Sequence, residues 1–400
     1  MATAMQFNET PILLIFGLLF LLGLAADLVG RHSVIPRVTL LIAVGLAIGP
    51  IGLDLLPEAL ITQWFPPLTT LALSLVGFLV GEKLSFARLR AYGRLVISIT
   101  LGETLLALVA VLLALLAFGV HPVPAILLAG IASASAPTAT FDVVRESGAT
   151  GEFPDTLLAI VALDDGVALL LFSLCLAAAV AVTGDHSVFS SVSAGLGEIA
   201  GSLALGAGLG VPMAYLTGRI LPGEPTLAEA MGFVLLCGGA ATWLDFSPIL
   251  AAMTMGAVVA TLAKHHHRPF HAIEGVEWPF LIVFFIFAGA SAHADALLMV
   301  GGITLVYMLF RCIGTFAGAW GGGYLGKASV PLRNWIGLCL FPQAGVSLGM
   351  ALMASQRFPE FAPYVLPVVL SSTIVFELLT PLLTRLALNK TQSAQGTSAS

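Results

Sequence analysis

The chain is 400 residues long, 58% hydrophobic and 10% charged, with a mean hydropathy of +1.02, whereas soluble domains carry roughly 25% charged residues. Its formal net charge of -6 comes with no basic footprint for nucleic acid, and in such a chain charges act by position rather than by sum. Apolar stretches of roughly 18 to 25 residues recur from end to end, and the alternating strands of a membrane barrel are absent, so the chain reads as an all-α polytopic membrane protein.

Proline, glycine and charge clusters punctuate the sequence into about thirteen transmembrane helices, near residues 11–30, 36–53, 66–82, 94–118, 123–146, 154–183, 190–220, 226–243, 246–263, 279–292, 297–325, 331–356 and 363–386. The first, "PILLIFGLLFLLGLAADLVG", has no Lys or Arg before it and no small-residue cleavage site after it, so it is read as a retained span rather than a signal peptide. Within it, Asp27 and Arg31 have the spacing of a helix-surface pair. With the N-terminus outside, the loops on the cytoplasmic side hold Arg31, Arg37, Lys83, Arg88, Arg90, Arg94, Arg145, Arg219, Lys264, Arg268, Lys327 and Arg333, and the tail holds Arg385 and Lys390. Arg357 alone falls outside, which is the bias of the positive-inside rule and places the C-terminus in the cytoplasm. Cys175, Cys237, Cys312 and Cys339 lie in apolar runs without ligand spacing and read as buried small hydrophobes. The polar tail from residue 389 is expected to be without structure.

Few ionisable residues remain at membrane depth: Glu103, Asp164, Asp165, Arg311 and Glu377. An ionised group at the bilayer centre costs at least about 2.5 to 3.5 kcal/mol, so such residues face a cavity or each other and mark an ion or proton path. In the sixth span, "AIVALDDGVALLLF" sets Asp164 and Asp165 side by side about ten residues, or roughly 15 Å, below the helix start. Adjacent helical residues diverge by about 100°, so Arg311 can neutralise one acid while the other looks elsewhere. That other acid needs a cation or a proton, and the pair should titrate in coupled steps.

The fifth and twelfth spans are interrupted. "ASASAPTATFDVV" sets Pro137 among Ser133, Ser135, Thr138 and Thr140, and "GLCLFPQAGVSLGM" sets Pro342 and Gly345 about Gln343. Proline removes a donor and clashes with the preceding turn, and non-helical backbone at such depth is tolerated only around a cavity. The two prolines are about 205 residues apart (342 minus 137), the pattern of an inverted repeat with binding sites at unwound helices.

On these motifs, together with "IPRVTLLIAVGLAIGP", "FFIFAGAS" and "FRCIGTFAG", the chain resembles the cation:proton antiporter superfamily and, within it, the thirteen-helix sodium/proton exchanger family with a double aspartate. The resemblance implies an inverted repeat with two crossed broken helices. It also implies panel helices in residues 1–93 and 223–295, a moving core in 94–186 and 296–388, a linker in 187–222 and a homodimer. Asp165 would be the main ligand of the transported sodium ion and proton, assisted by Asp164, Ser135 and Thr138. Arg311 would salt-bridge Asp164 and face the crossing, with Pro137, Pro342 and Gly345 as hinges and Glu103 and Gln343 as candidate neighbours. The double aspartate implies electrogenic exchange, although Arg311 stands where such members carry Lys, and Ala136 where many relatives carry an acid. No cofactor beyond the transported sodium and protons is implied, nor any enzyme activity.

Other residues have plainer readings. Glu103 is either a partner of the site or of Arg311, or is satisfied by a local hydrogen bond; Glu377 reads as structural. The run "KHHHRPFH", with His265, His266 and His267, is a positively charged loop rather than a metal site or pH sensor, and Asp142, Arg145 and Glu146 form a solvated helix end. An intramembrane aspartyl protease needs acids on facing helices and a GxGD sequence, which is absent. A ligand-gated potassium efflux system would carry a nucleotide-binding domain, and a bile-acid-type symporter has fewer spans. Potassium/proton exchange and electroneutral exchange stay open, and the compact chain points to a prokaryotic inner membrane.

Overall fold

In the computed structural model of the protein the described residues are 12–32, 37–50, 52–84, 93–136, 140, 143–144, 147, 149–183, 188–217, 226–263, 267–291, 300–343 and 345–397. They form α1 (Ile12–His32), α2 (Arg37–Ile48), α3 (Glu58–Lys83), α4 (Gly93–Ala117), α5 (Pro122–Ala132), α6 (Glu152–Thr183) and α7 (Val188–Thr217). There follow α8 (Thr226–Trp243), α9 (Pro248–Leu262), α10 (His267–Ala290), α11 (Gly301–Leu325), α12 (Val330–Trp335), α13 (Gly345–Arg357) and α14 (Ala362–Thr397). No strand occurs among the described residues. Nine of these helices are long and apolar enough to cross a membrane, ten if α12 and α13 are taken as one bent span. The remaining apolar helices, α2, α5 and α9, have 12, 11 and 15 residues, shorter than the roughly 20 a spanning helix needs. Among the described residues, nine or ten helices of spanning length and three shorter ones stand where the sequence predicts thirteen spans.

Proline is a weaker boundary here than the sequence implied. Helix α10 starts at His267 and carries Pro279 inside it, α3 starts at Glu58 with Pro66 and Pro67 inside, and α14 contains Pro367 and Pro381. Packed neighbours and local backbone adjustment satisfy the groups a proline frees in such helices. The tail is also corrected. Helix α14 runs on to Thr397, because adding residues to a formed helix avoids the cost of nucleation.

Small residues set the helix pairs. A Cβ on Gly318 of α11 would run into the carbonyl oxygen of Gly102 in α4, and one on Gly322 into that of Ser98, so these two helices touch backbone to backbone. Gly256 of α9 meets Phe78 of α3 in the same way, and Gly289 of α10 meets Ile42 of α2. Asp27 of α1 is not a surface residue: it is 2% exposed, with Arg37 Nε of α2 3.6 Å away.

Candidate functional site

Helix α6 begins with Glu152 and Asp155 in its first turn, where carboxylates suit the positive end of the helix dipole. Further along, Asp164 is fully buried and Asp165 is 3% exposed. The chain that meets them is the interruption after α5. There the helix stops, Ser133 Oγ donates to the Gly130 carbonyl at 2.7 Å, and Ser135 turns toward α6. The Ser135 N–H and hydroxyl both donate to Asp164 Oδ2, at 2.7 and 2.5 Å. Ser135 thus acts first as a donor that fixes Asp164. Pro137 and Thr138, with Asp142, Arg145 and Glu146, lie outside the described residues.

The second interruption lies across the first. Helix α12 continues as a 3-10 turn, Ile336–Leu340, stops through Phe341, Pro342 and Gln343, and resumes as α13 at Gly345 after a bend of 48°. The Ala136 N–H donates to the Pro342 carbonyl at 2.8 Å, and the Thr140 hydroxyl to the Cys339 carbonyl at 3.2 Å. Gln343 is a strut of this crossing: its amide donates to the Ile131 carbonyl at 3.3 Å and to the Tyr307 hydroxyl at 2.8 Å, while its oxygen accepts from Ser372 at 3.2 Å.

Arg311 corrects an expectation. Its ion pair with Asp164 is not formed; instead Nε donates to the Ala132 carbonyl at 3.1 Å, Nη2 to Ala134 at 2.8 Å and Nη1 to Phe341 at 2.6 Å. The guanidinium carbon also lies 4.8 Å from the Phe376 ring centroid. Carbonyls where a helix stops are orphaned and partly negative, and the planar fork of an arginine matches several at once. The residue faces the crossing as implied, by way of its backbone.

Glu103 of α4 completes the cluster. It is 1% exposed and close enough to Asp164 for the two carboxyls to interact. Two carboxyls that share a hydrogen bond need a proton on one of them. Among the described residues, Glu103 Oε1, Asp164 Oδ1 and Asp165 Oδ1 are buried without a hydrogen-bonding partner. Glu377 sits apart, at 1% exposure, accepting from the Thr39 hydroxyl of α2 at 2.6 Å.

A cavity of about 530 Å³ leads away from Asp165, with Ser135, Ala136 and Gly345 also at its inner end. Asp164 does not line it. Its walls carry Glu82, Lys83, His267, His271, Glu274 and Glu277. His267 Nδ1 lies 3.9 Å from Glu82, and His271 Nδ1 lies 3.3 Å from Glu274. Lys264, His265 and His266 lie outside the described residues. The sequence conceals this vestibule because Pro279 reads as the start of a span, whereas the helix begins at His267. The signal was present: His267, His271, Glu274 and Trp278 recur at i, i+4, i+7 and i+11, one face of a helix.

A polytopic helical bundle in which two interrupted helices cross beside buried acids defines an ion-coupled membrane transporter. The sequence model described as "Sodium/hydrogen exchanger, transmembrane" matches residues 15–389, and the chain belongs to that family. It is 22% identical over 359 residues to the ammonium/H(+) antiporter subunit AmhT of Alkalihalophilus pseudofirmus, covering 88% of this chain and 89% of that one. Among solved structures, it is similar to the sodium proton antiporter MjNhaP1 from Methanocaldococcus jannaschii at pH 8, with a TM-score of 0.69 and 18% identity over 96% of both chains. An electron-microscopy map of the same antiporter matches with a TM-score of 0.68 and 16% identity over 94% of this chain and 96% of that one. These structural likenesses show the fold.

Proposed function

We propose that the protein exchanges a monovalent cation, sodium, for protons across a prokaryotic inner membrane by alternating access, and so contributes to pH homeostasis. The observation that carries this reading is Asp165, a nearly buried carboxylate with an unpartnered oxygen at the inner end of a cavity walled by further acids. A cation entering the cavity meets Asp165 last and sheds water for its carboxylate and neighbouring oxygens; a proton competes for the same group, and that competition couples the two fluxes. An empty, ionised site costs at least about 2.5 to 3.5 kcal/mol to move through apolar surroundings, which disfavours uncoupled slip. In this reading residues 94–186 and 296–388 move against a panel of residues 1–93 and 223–295, linked by 187–222, in a homodimer with the N-terminus outside and the C-terminus cytoplasmic. Exchange is electrogenic, because Asp164 and Glu103 share the site with no ion pair to Arg311, and more than one proton replaces a departing cation.

Ammonium is the second cation to test, since the relative AmhT is named for it; potassium is the third. The test is proton flux in proteoliposomes on adding each cation, for the unmodified chain, Asp165→Asn and Asp164→Asn. Sodium-driven flux lost in Asp165→Asn supports the reading, and flux accelerated by a membrane potential supports electrogenicity. Undiminished exchange by Asp165→Asn refutes the site.

A further inference from the structure

Just beyond the end of α11, far along the chain from the acids, Arg333 of α12 is held in place and, among the described residues, meets no anion. The guanidinium carbon of Arg333 lies 4.8 Å from the Trp320 ring centroid and 5.6 Å from that of Tyr324. These two rings, one helical turn apart on α11, stack on each other at 6.1 Å with an interplanar angle of 8°. Trp320 is fixed in turn by its indole N–H, which donates to Asn334 Oδ1 at 3.2 Å. Arg333 Nε is buried without a hydrogen-bonding partner. Glu152, the acid that reaches this turn, accepts from Ser329 at 3.2 Å instead. An arginine does not deprotonate, so its charge and its directed N–H groups require an acceptor with two oxygens in one plane.

The surroundings say which acceptor. Trp320 and Tyr324 are 41% and 64% exposed, and Leu325 and Val330 beside them are 64% and 58% exposed. They sit where a 25-residue apolar helix ends, which is where tryptophan and tyrosine mark the membrane interface. The turn that follows carries Lys327, a second positive charge. Apolar surface for acyl chains, amphipathic rings at headgroup level and a fork-shaped cation meet at one place. We propose that Arg333, Trp320 and Tyr324, with Lys327, form a binding site for the phosphodiester of an anionic membrane lipid.

The site has a mechanical consequence. Arg333 belongs to α12, the helix that leads through Ile336–Leu340 to Phe341, whose carbonyl Arg311 holds. A lipid phosphate on Arg333 braces the outer part of the second interrupted helix against α11. The inference needs only that the chain spans a membrane and is independent of the cation exchanged.

The test uses the full chain, delipidated in a neutral detergent, by native mass spectrometry and thermal unfolding with added phosphatidylglycerol, phosphatidylcholine or inorganic phosphate. Phosphatidylglycerol is expected to bind and stabilise the unmodified protein, and Arg333→Gln to bind it about tenfold more weakly, the worth of charge-assisted hydrogen bonds. Equal binding of phosphatidylglycerol and phosphatidylcholine by the unmodified protein overturns the proposal without any variant. So does equal binding of phosphatidylglycerol by Arg333→Gln. Stabilisation by inorganic phosphate alone, matching that by the lipid, assigns the site to a free anion and overturns it too.

Discussion

Asp164 and Asp165 are chain neighbours pointing about 100° apart around one helix, and the protein gives them different work. Asp164 is turned inward, tied to Ser135 and in reach of Glu103, while Asp165 faces the cavity. Replacing Ser135 by Ala removes the hydroxyl donor and leaves the N–H. It should cost about 1 kcal/mol of stability and raise the cation concentration for half-maximal flux, measured by thermal unfolding and by proton flux in proteoliposomes. Arg311 gives a sharper test. If it served as the counter-ion of Asp164, a lysine would suffice; because it binds the Ala132, Ala134 and Phe341 carbonyls, one ammonium cannot replace the fork. Arg311→Lys should therefore lose at least about 2 kcal/mol, as expected when a buried hydrogen-bond network is broken, read from denaturant unfolding in detergent.

At the scale of helices, α2 and α14 share a buried polar contact, the Thr39 hydroxyl donating to Glu377. Thr39→Val removes the hydroxyl donor from that buried carboxyl and should cost about 1 to 3 kcal/mol, measured as a lowered unfolding midpoint; Glu377→Leu in the same background should recover part of it, because the buried carboxyl that lost its donor is then gone too. The contact also illustrates what a sequence hides. The acids at membrane depth and the interruptions after Ala132 and around Pro342 are legible, because a charge or a proline in an apolar run is unfavourable without a local reason. Pro279, in a similar run, is accommodated inside α10, and only the helical recurrence of polar residues on its N-terminal side, from His267 to Trp278, marks the difference. Which acceptor Arg311 takes was equally hidden, since the carbonyls it binds come from positions 177, 179 and 30 residues away. Residue type announces a donor; only the fold supplies its partner.

For the whole molecule, the proposed exchange requires that Asp165 be reached from one side at a time. Asp165 lines a cavity that Lys83 and His267 also line, and in the proposed orientation these basic residues mark the cytoplasmic side. In a two-state carrier each conformation exposes the site to one side, and a ligand shifts the balance only by binding one state better than the other. Val346, at the head of α13, lines the same cavity. In a background with its four native cysteines replaced, Val346→Cys should react with a membrane-impermeant thiol reagent added from the Lys83 side and be protected from the opposite side. Labelling in right-side-out and inverted vesicles, read by mass shift, distinguishes the cases. Reaction from the Lys83 side that slows when sodium is supplied means that the ion and the reagent meet at the Asp165 end of one cavity. Reaction from the opposite side alone would mean that the basic loops have been assigned to the wrong face, while equal reaction from both sides would describe a pore, and a pore cannot hold the gradient that exchange consumes.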